Sequence, residues 1–398
     1  MAMPLAGIRV LDITQVQAGA YGSMILGDLG AEVIKIEPPH GDFTREFPFY
    51  GHEGESYYYL AFNRNKRGMV LDLETDKGQE IFYQLVTMAD VVLDNSGPGV
   101  IEKLGVDYNT LSKINPRIIS CSITGFGSTG PYRERRSFDL IAQAMSGAMS
   151  VTGESGHPPV RCGISIADMA GGMYAALGVL SAYIDRQQSG RGQKVDISLL
   201  DGMIALLSYF ASYYFLSGEV PGPQGSGHIS AIPYGAFRTK DGHIAIAEGW
   251  PRIARVLGVD EYVDDPRFST REERLNHREE FYEILEEALR KEETDVWVEL
   301  LNVEGIAAAP VNTLDKALSD PQVLHRDMVI DIEHALGGVI RLAGNPIKMS
   351  AVSHQAKEAY RSPPTLGQHT EEILTELLGY SKDRIEELRI EGVISARR

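Results

Sequence analysis

Cysteine is nearly absent from this sequence: two residues in 398, Cys121 and Cys162. So sparse a pair excludes a disulfide framework and a zinc knuckle, and it fits a reducing compartment, so a cytoplasmic location is expected. Positive charge is also short. There are 38 basic residues against 55 acidic ones, for a net charge of −17. That balance speaks against nucleic acid or an anionic membrane as a partner, and an anionic ligand must find a local basic cluster. No apolar run reaches about 18 residues, so no transmembrane span is expected. The opening MAMPLAGIRVLDIT has no basic stretch followed by a long apolar one and does not read as a signal peptide. The ten histidines form no HExxH and no close pair, so no metal is expected. G-x-x-x-x-G-K-[ST] and G-x-S-x-G are both missing, which removes a P-loop and an α/β-hydrolase elbow.

What is present is alternation. GIRVLDIT (7–14) reads as a buried strand, AYGSMILGDLG (20–30) as a helix ending in glycine, and AEVIKIE (31–37) as the next strand. GMVLDLE, DKGQEIFYQLVTMA and DVVLDN repeat the pattern, and RIISCSITGFG (117–127) adds a strand. The class is therefore α/β, with a doubly wound parallel sheet. Helices follow over 137–149 and 168–187, then a strand and a helix within 189–207. SGEVPGPQGSGHIS (217–230) breaks the pattern as a linker or loop. Beyond it, YGAFRTKDGHIAIAEG (234–249) reads as a hairpin with an Asp-Gly turn, and charged helices fill about 270–303. HALGGVIRLAG (334–344) is another hairpin, and the tail is helical. The expected division is a large domain over 1–216, a smaller α+β domain over 225–327, and a return to the large domain over 328–398.

Several motifs have two readings. GFGSTG (125–130) fits G-x-G-x-x-G after a strand, but Pro131 and a basic loop follow instead of a helix, which disfavours a dinucleotide site. RERR (133–136) and FNRNKRG (62–68) each read as solvated surface or as phosphate contacts. Two such clusters in an acidic chain point to a polyphosphorylated ligand. Asp168 heads the apolar run ISIADMAGGMYAALGVLSAY (164–183). It reads as a helix N-cap, or as a nucleophile kept ionised by the helix N-terminus. Gly171 and Gly172 would then leave room for a ligand or another chain.

The ordered segments LAGIRVLDITQVQAG, LGAEVIKIEPPHGD, NRNKRGMVLDLET, ADVVLDNSGPGVIEKLG, INPRIISCSITGFGSTGPY, FDLIAQAMSG and ADMAGGMYAALGVLSAYIDRQQSGRGQKVDISLLD carry a resemblance. GHISAIPYGAFRTKDG and GIAAAPV extend it. Along almost its whole length the chain resembles the family III CoA-transferases of the formyl-CoA and carnitine type. The resemblance implies a large Rossmann-like domain and a smaller one, interlocked as a homodimer. It implies coenzyme A, carried as an acyl-CoA substrate, with a small carboxylic acid as acceptor. It places the family's catalytic aspartate at Asp168, and its V-Q-A segment at Val16, Gln17 and Ala18, with Gln17 beside the thioester.

By the same resemblance, CoA is expected along Leu71, Asp72, Leu73 and Glu74, at Asn95, Ser96 and Gly97, at Lys103, and along Arg136, Ser137, Phe138 and Asp139. Phe47 falls at an aromatic gate. Pro38 and Glu74 stand where the formyl-CoA type is often basic, so Arg64, Lys66, Arg67 or Arg133 are the expected substitutes. GPQGSGH (222–228) replaces a longer glycine loop. Gly225 and Gly227 make it a candidate lid, and oxalate is not expected as the acceptor. Arg161, Arg238 and Arg252 are candidates for a second carboxylate. A 2-methylacyl-CoA racemase shares the fold but carries a histidine where SFDLIAQ has Phe138. A non-catalytic acyl-CoA-binding protein would not need Asp168. A nicotinamide dehydrogenase is a remote third alternative.

Overall fold

The computed structural model describes residues 3–47, 50–352 and 360–395. The chain divides into two compact units. The first comprises Met1–Ala148, Cys162–Ser212 and Pro321–Arg398, and the second Met149–Arg161 and Tyr213–Asp320. Residues 149–161, expected in the large domain, cluster with the second unit instead.

The first unit is built on six strands: β1 (Arg9–Asp12), β2 (Glu32–Glu37), β3 (Lys66–Val70), β4 (Val91–Asp94), β5 (Ile119–Thr124) and β6 (Lys194–Ser198). They lie in the order β3-β2-β1-β4-β5-β6, every neighbouring pair parallel. Short Val- and Ile-rich strands of this kind bury both faces, because a parallel sheet needs crossovers that lay helices over each side. Leu11, Ile34, Phe82, Leu85, Ile373 and Leu388 fill one core, and Val10, Val33, Leu93, Cys121, Ala175 and Val179 fill the other. Ile373 and Leu388 come from the tail, so its helices join the core of this unit. The chain leaves β1 towards β2 on one side, and β4 starts the other side. Loops after β1 and β4 therefore diverge and open a crevice at the carboxyl ends of the strands.

Helix α1 (Ala18–Asp28) follows β1, α2 (Asp139–Met145) follows β5, and α3 (Ile166–Ser189) and α4 (Leu199–Leu207) flank β6. The buried stripe of α3 is almost all small: Ala167, Ala170, Gly171, Gly172, Ala175, Ala176 and Ala182 with Val179. A Cβ on Gly172 would stand 2.6 Å from the Ala18 carbonyl oxygen and 3.1 Å from the Gly22 nitrogen. One on Gly171 would stand 2.6 Å from Leu199 Cδ2. This corrects the reading that the glycines make room for a ligand. Gly172 lets the backbones of α1 and α3 touch, and Gly171 leaves room for the Leu199 side chain of α4.

In the second unit, β7 (Tyr234–Arg238), β8 (His243–Ala247) and β9 (Ala307–Pro310) form an antiparallel sheet in the order β9-β8-β7. Thr239 N–H donates to the Gly242 carbonyl at 3.0 Å and closes the Asp-Gly hairpin. Phe237, Ile244, Phe268, Phe281, Leu285 and Trp297 form its own core. No single helix among the described residues is long and apolar enough to cross a membrane.

Candidate active site

The crevice at the β1/β4 switch point is a cavity of about 450 Å³, wholly within the first unit. Val16, Gln17 and Ala18 line it from the β1 loop, and Asn95, Ser96 and Gly97 from the β4 loop. Thr124 ends β5, and Gly125 and Phe126 come from the loop after it, followed by Arg133, Arg135, Arg136, Ser137 and Phe138. Asp168 faces it from the first turn of α3. Three arginines in one wall give an acidic protein a local anion site. Arg135 lies over the Tyr132 ring at 3.9 Å, which holds part of that wall in place.

Other expected residues lie elsewhere. Leu71 is buried in the core, and Asp72 caps its own turn through Glu74 N–H. Glu74 and Lys103 form an exposed ion pair at 3.2 Å, and neither lines the cavity. Arg64, Lys66 and Arg67 are corrected as phosphate contacts, because each is consumed by internal acids. Arg64 grips both oxygens of Asp28, Lys66 sits on Asp12, and Arg67 meets Glu32, Glu372 and Glu376. Of those four substitutes, Arg133 alone lines the cavity.

Asp168 is not the helix cap. Helix α3 begins at Ile166, two residues before the expected start, with Ser165 preceding it. The carboxyl is pushed up to about 7, first by burial and then by the like charge of Asp139. The expected full ionisation at neutral pH is thus corrected: withdrawal from water outweighs the helix N-terminus. Asp139, expected to touch CoA, turns inward. One oxygen accepts Ala167 N–H at 2.9 Å and the other accepts Gln143 Nε2 at 2.7 Å. Gln143 Oε1 in turn accepts Cys162 N–H at 2.9 Å, so α2 fixes the entry to α3.

Gln17 is oriented by a residue the motifs did not single out. Tyr58 Oη donates to Gln17 Oε1 at 2.5 Å, which points the amide NH₂ away from the tyrosine. Burial and the Asp168 carboxylate push the Tyr58 phenol up to about 12, so it stays a donor. Phe47 packs on the Tyr58 ring at 4.9 Å between centroids and is not in the cavity wall. Tyr58 sits in the aromatic run YYYLAF with no periodic signal, and its partner is 41 residues away.

The candidate lid lies in the second unit and is tied there. Gly225, at φ +61°, donates to the Gly153 carbonyl at 2.8 Å, and a Cβ on it would meet the Glu154 carboxylate. Gly227 N–H donates to the Gln224 carbonyl at 2.8 Å, and Arg278 holds Gln224 Oε1 and the His228 carbonyl. Arg161, Arg238 and Arg252 are also in the second unit, Arg252 donating to the Glu304 carbonyl at 2.9 Å. Among the described residues, no three His, Cys, Asp or Glu side chains gather as metal ligands.

A crevice at the switch point, with a carboxyl of raised proton affinity and an arginine wall, suits an anionic acyl carrier. The family model CoA-transferase family III matches residues 5–370. This chain belongs to the family III CoA-transferases. It is 38% identical over 398 residues to the succinyl-CoA:glutarate CoA-transferase of Homo sapiens, covering 98% of this chain and 90% of that one. It is 38% identical over 387 residues to the succinate–glutarate CoA-transferase of Agrobacterium fabrum, covering 94% and 96%. The crystal structure of a CAIB/BAIF family protein from Brucella suis aligns with TM-score 0.86 and 36% identity, covering 95% of this chain and all of that one. The chain is thus a family III CoA-transferase enzyme, with acyl-CoA as its substrate class.

Proposed function

We propose that this enzyme moves CoA from a dicarboxylic acyl-CoA to a dicarboxylate acceptor through covalent intermediates on Asp168. The carrying observation is Asp168 itself, a partly buried carboxyl that shares one cavity with Gln17 and three arginines. The ionised carboxylate attacks the thioester carbonyl, and the C–S bond breaks to give a mixed anhydride and CoA thiolate. The thiolate then attacks the anhydride at the aspartyl carbonyl, giving an aspartyl-CoA thioester and the first acid. The acceptor carboxylate attacks that thioester and the steps reverse. Each intermediate retains the activation of the starting thioester. The Gln17 amide, fixed by Tyr58, is positioned to donate to the carbonyl oxygen as it gains charge. Arg133, Arg135 and Arg136 take phosphate groups of the carrier.

The two named relatives support a succinyl donor and a five-carbon diacid acceptor. The test is a panel of mono- and dicarboxylates offered to succinyl-CoA and the full-length chain, with CoA products read by mass spectrometry. Transfer to glutarate, absent in Asp168→Ala, is the expected result. Transfer that persists in Asp168→Ala overturns the mechanism, and α-proton exchange without transfer points to the racemase.

We further infer a homodimer. Leu140, Ile141 and Met145 on α2, Met173, Leu177 and Ile184 on α3, and Ile204 and Leu206 on α4 are each at least 40% exposed. So much apolar side chain on neighbouring helices is more than a monomer ordinarily leaves in water.

A further inference from the structure

Val16 is a β-branched residue at φ +62°, in the left-handed region that such side chains avoid. It stands immediately before Gln17, so its conformation sets where the Gln17 amide points. Something must hold it there. One buried ion pair bonds Val16 and Thr14, and a second bonds Thr14. Lys35 Nζ donates to the Thr14 carbonyl at 2.8 Å and to Asp42 Oδ2 at 2.9 Å. Asp42 Oδ1 accepts Val16 N–H at 3.3 Å, and also Thr44 N–H and Oγ1. On the other side Asp12 Oδ1 accepts Thr14 N–H and Oγ1, and Asp12 Oδ2 accepts Lys66 Nζ. Asn95 completes the grip, accepting Gln15 N–H at 2.8 Å and donating to its carbonyl at 2.7 Å.

The side chains of Lys35, Asp42, Lys66 and Asp12 are all 0% exposed. A buried ion pair is weak evidence for stability, since desolvation can exceed the attraction. Here the bonds of Lys35, Asp42 and Asp12 converge on the backbone of Thr14 and Val16, and Asn95 holds Gln15 between them. A fold that only needed filling would meet these strands with apolar side chains.

We propose that Lys35 and Asp42 are positioning residues for the transfer reaction: they clamp Thr14–Val16 in its strained conformation and so aim Gln17 into the cavity that Asp168 faces. Neither side chain lines the cavity itself, and Asp42 reaches it only through the Val16 N–H, so they act through the backbone and not on the substrate. The inference rests on the transferase reading for its kinetic arm alone.

The kinetic arm compares Lys35→Met, Asp42→Asn and the double variant. Each single variant leaves a buried charge unpaired and loses stability. The double variant should regain most of the lost Tm, yet keep kcat at least tenfold down with KM for acyl-CoA within about threefold. Adding Val16→Gly to the double variant should raise kcat at least threefold, because glycine takes φ +62° freely. Recovery of kcat together with Tm in the double variant overturns the proposal, and so does a failed Val16→Gly rescue. The second arm needs no substrate and serves if the double variant does not fold. Amide hydrogen exchange in Asp42→Asn, which is nearly isosteric, should quicken at least tenfold at Gln15–Gln17 and stay unchanged in β1. Equal quickening in both places means general loosening and overturns the clamp. An enzyme inactive on every acyl-CoA with an intact exchange pattern tells against the transferase reading alone.

Discussion

Asp139 accepts Ala167 N–H at 2.9 Å and so stands against the same helical turn that carries Asp168. One carboxylate pins the turn, and its charge, after burial, is the second cause of the raised proton affinity of the other. Transfer should therefore increase with pH through about 7, because only ionised Asp168 attacks. Asp139→Asn keeps an acceptor for Ala167 but removes the like charge, so the rise should move to lower pH. A profile of kcat/KM against pH that superimposes on the wild type would count against this coupling.

Stability should follow the same group with a defined sign. A carboxyl raised from 3.8 to about 7 stabilises the fold at low pH, and that contribution is lost as pH rises through about 7. Asp168→Asn should thus abolish transfer and raise Tm at about pH 8, the difference vanishing near pH 4. At about 1.4 kcal/mol for each tenfold change in proton affinity, the gain is at most roughly 4 kcal/mol, less where water reaches the cavity. A Tm difference independent of pH contradicts this.

Tyr58→Phe removes the donor that fixes Gln17 and leaves the ring packed on Phe47. The loss of one buried hydrogen bond, about 1 to 1.5 kcal/mol, should lower kcat about tenfold. KM for acyl-CoA should move less than about threefold. A raised KM with kcat unchanged would mean that Tyr58 serves binding and not the transition state.

Gly172→Ala should destabilise the first unit by about 1 to 3 kcal/mol or more, because its Cβ meets backbone at 2.6 Å and nothing there can swing away. Gly97→Ala, with nothing within 4 Å of its Cβ, should leave Tm near the wild-type value. Denaturant melts of both variants make the comparison. A harmless Gly172→Ala would show that α1 and α3 separate easily.

Leu177, 60% exposed on α3, is the residue chosen to test the dimer. Leu177→Glu should place a charge in the buried contact and shift the mass by light scattering from two chains towards one. A wild-type monomer at micromolar concentration would refute the dimer outright.

Much of the fold was legible in the chain because it is local. Strand and helix alternation requires only the hydrophobic period and the punctuating glycines, and it led directly to the parallel sheet. Gln17 and Asn95–Gly97 follow strand ends, where such sheets open, and Asp168 heads a helix; the family resemblance is what marked them as site residues. What the sequence could not carry was the use of charge at a distance. FNRNKRG reads as a free basic cluster, yet Asp28, Asp12 and Glu372 arrive from remote segments and consume it. Tyr58 reaches Gln17 and Asp42 reaches Val16 only after the sheet has assembled. The proton affinity of Asp168 depends on burial and on Asp139, 29 residues earlier in the chain, so the helix alone misleads. The sequence determined which residues follow each strand and that the sheet is parallel. The tertiary structure decided which charges face the cavity and which are neutralised inside, because solvation and Coulomb energy depend on distances that only packing sets.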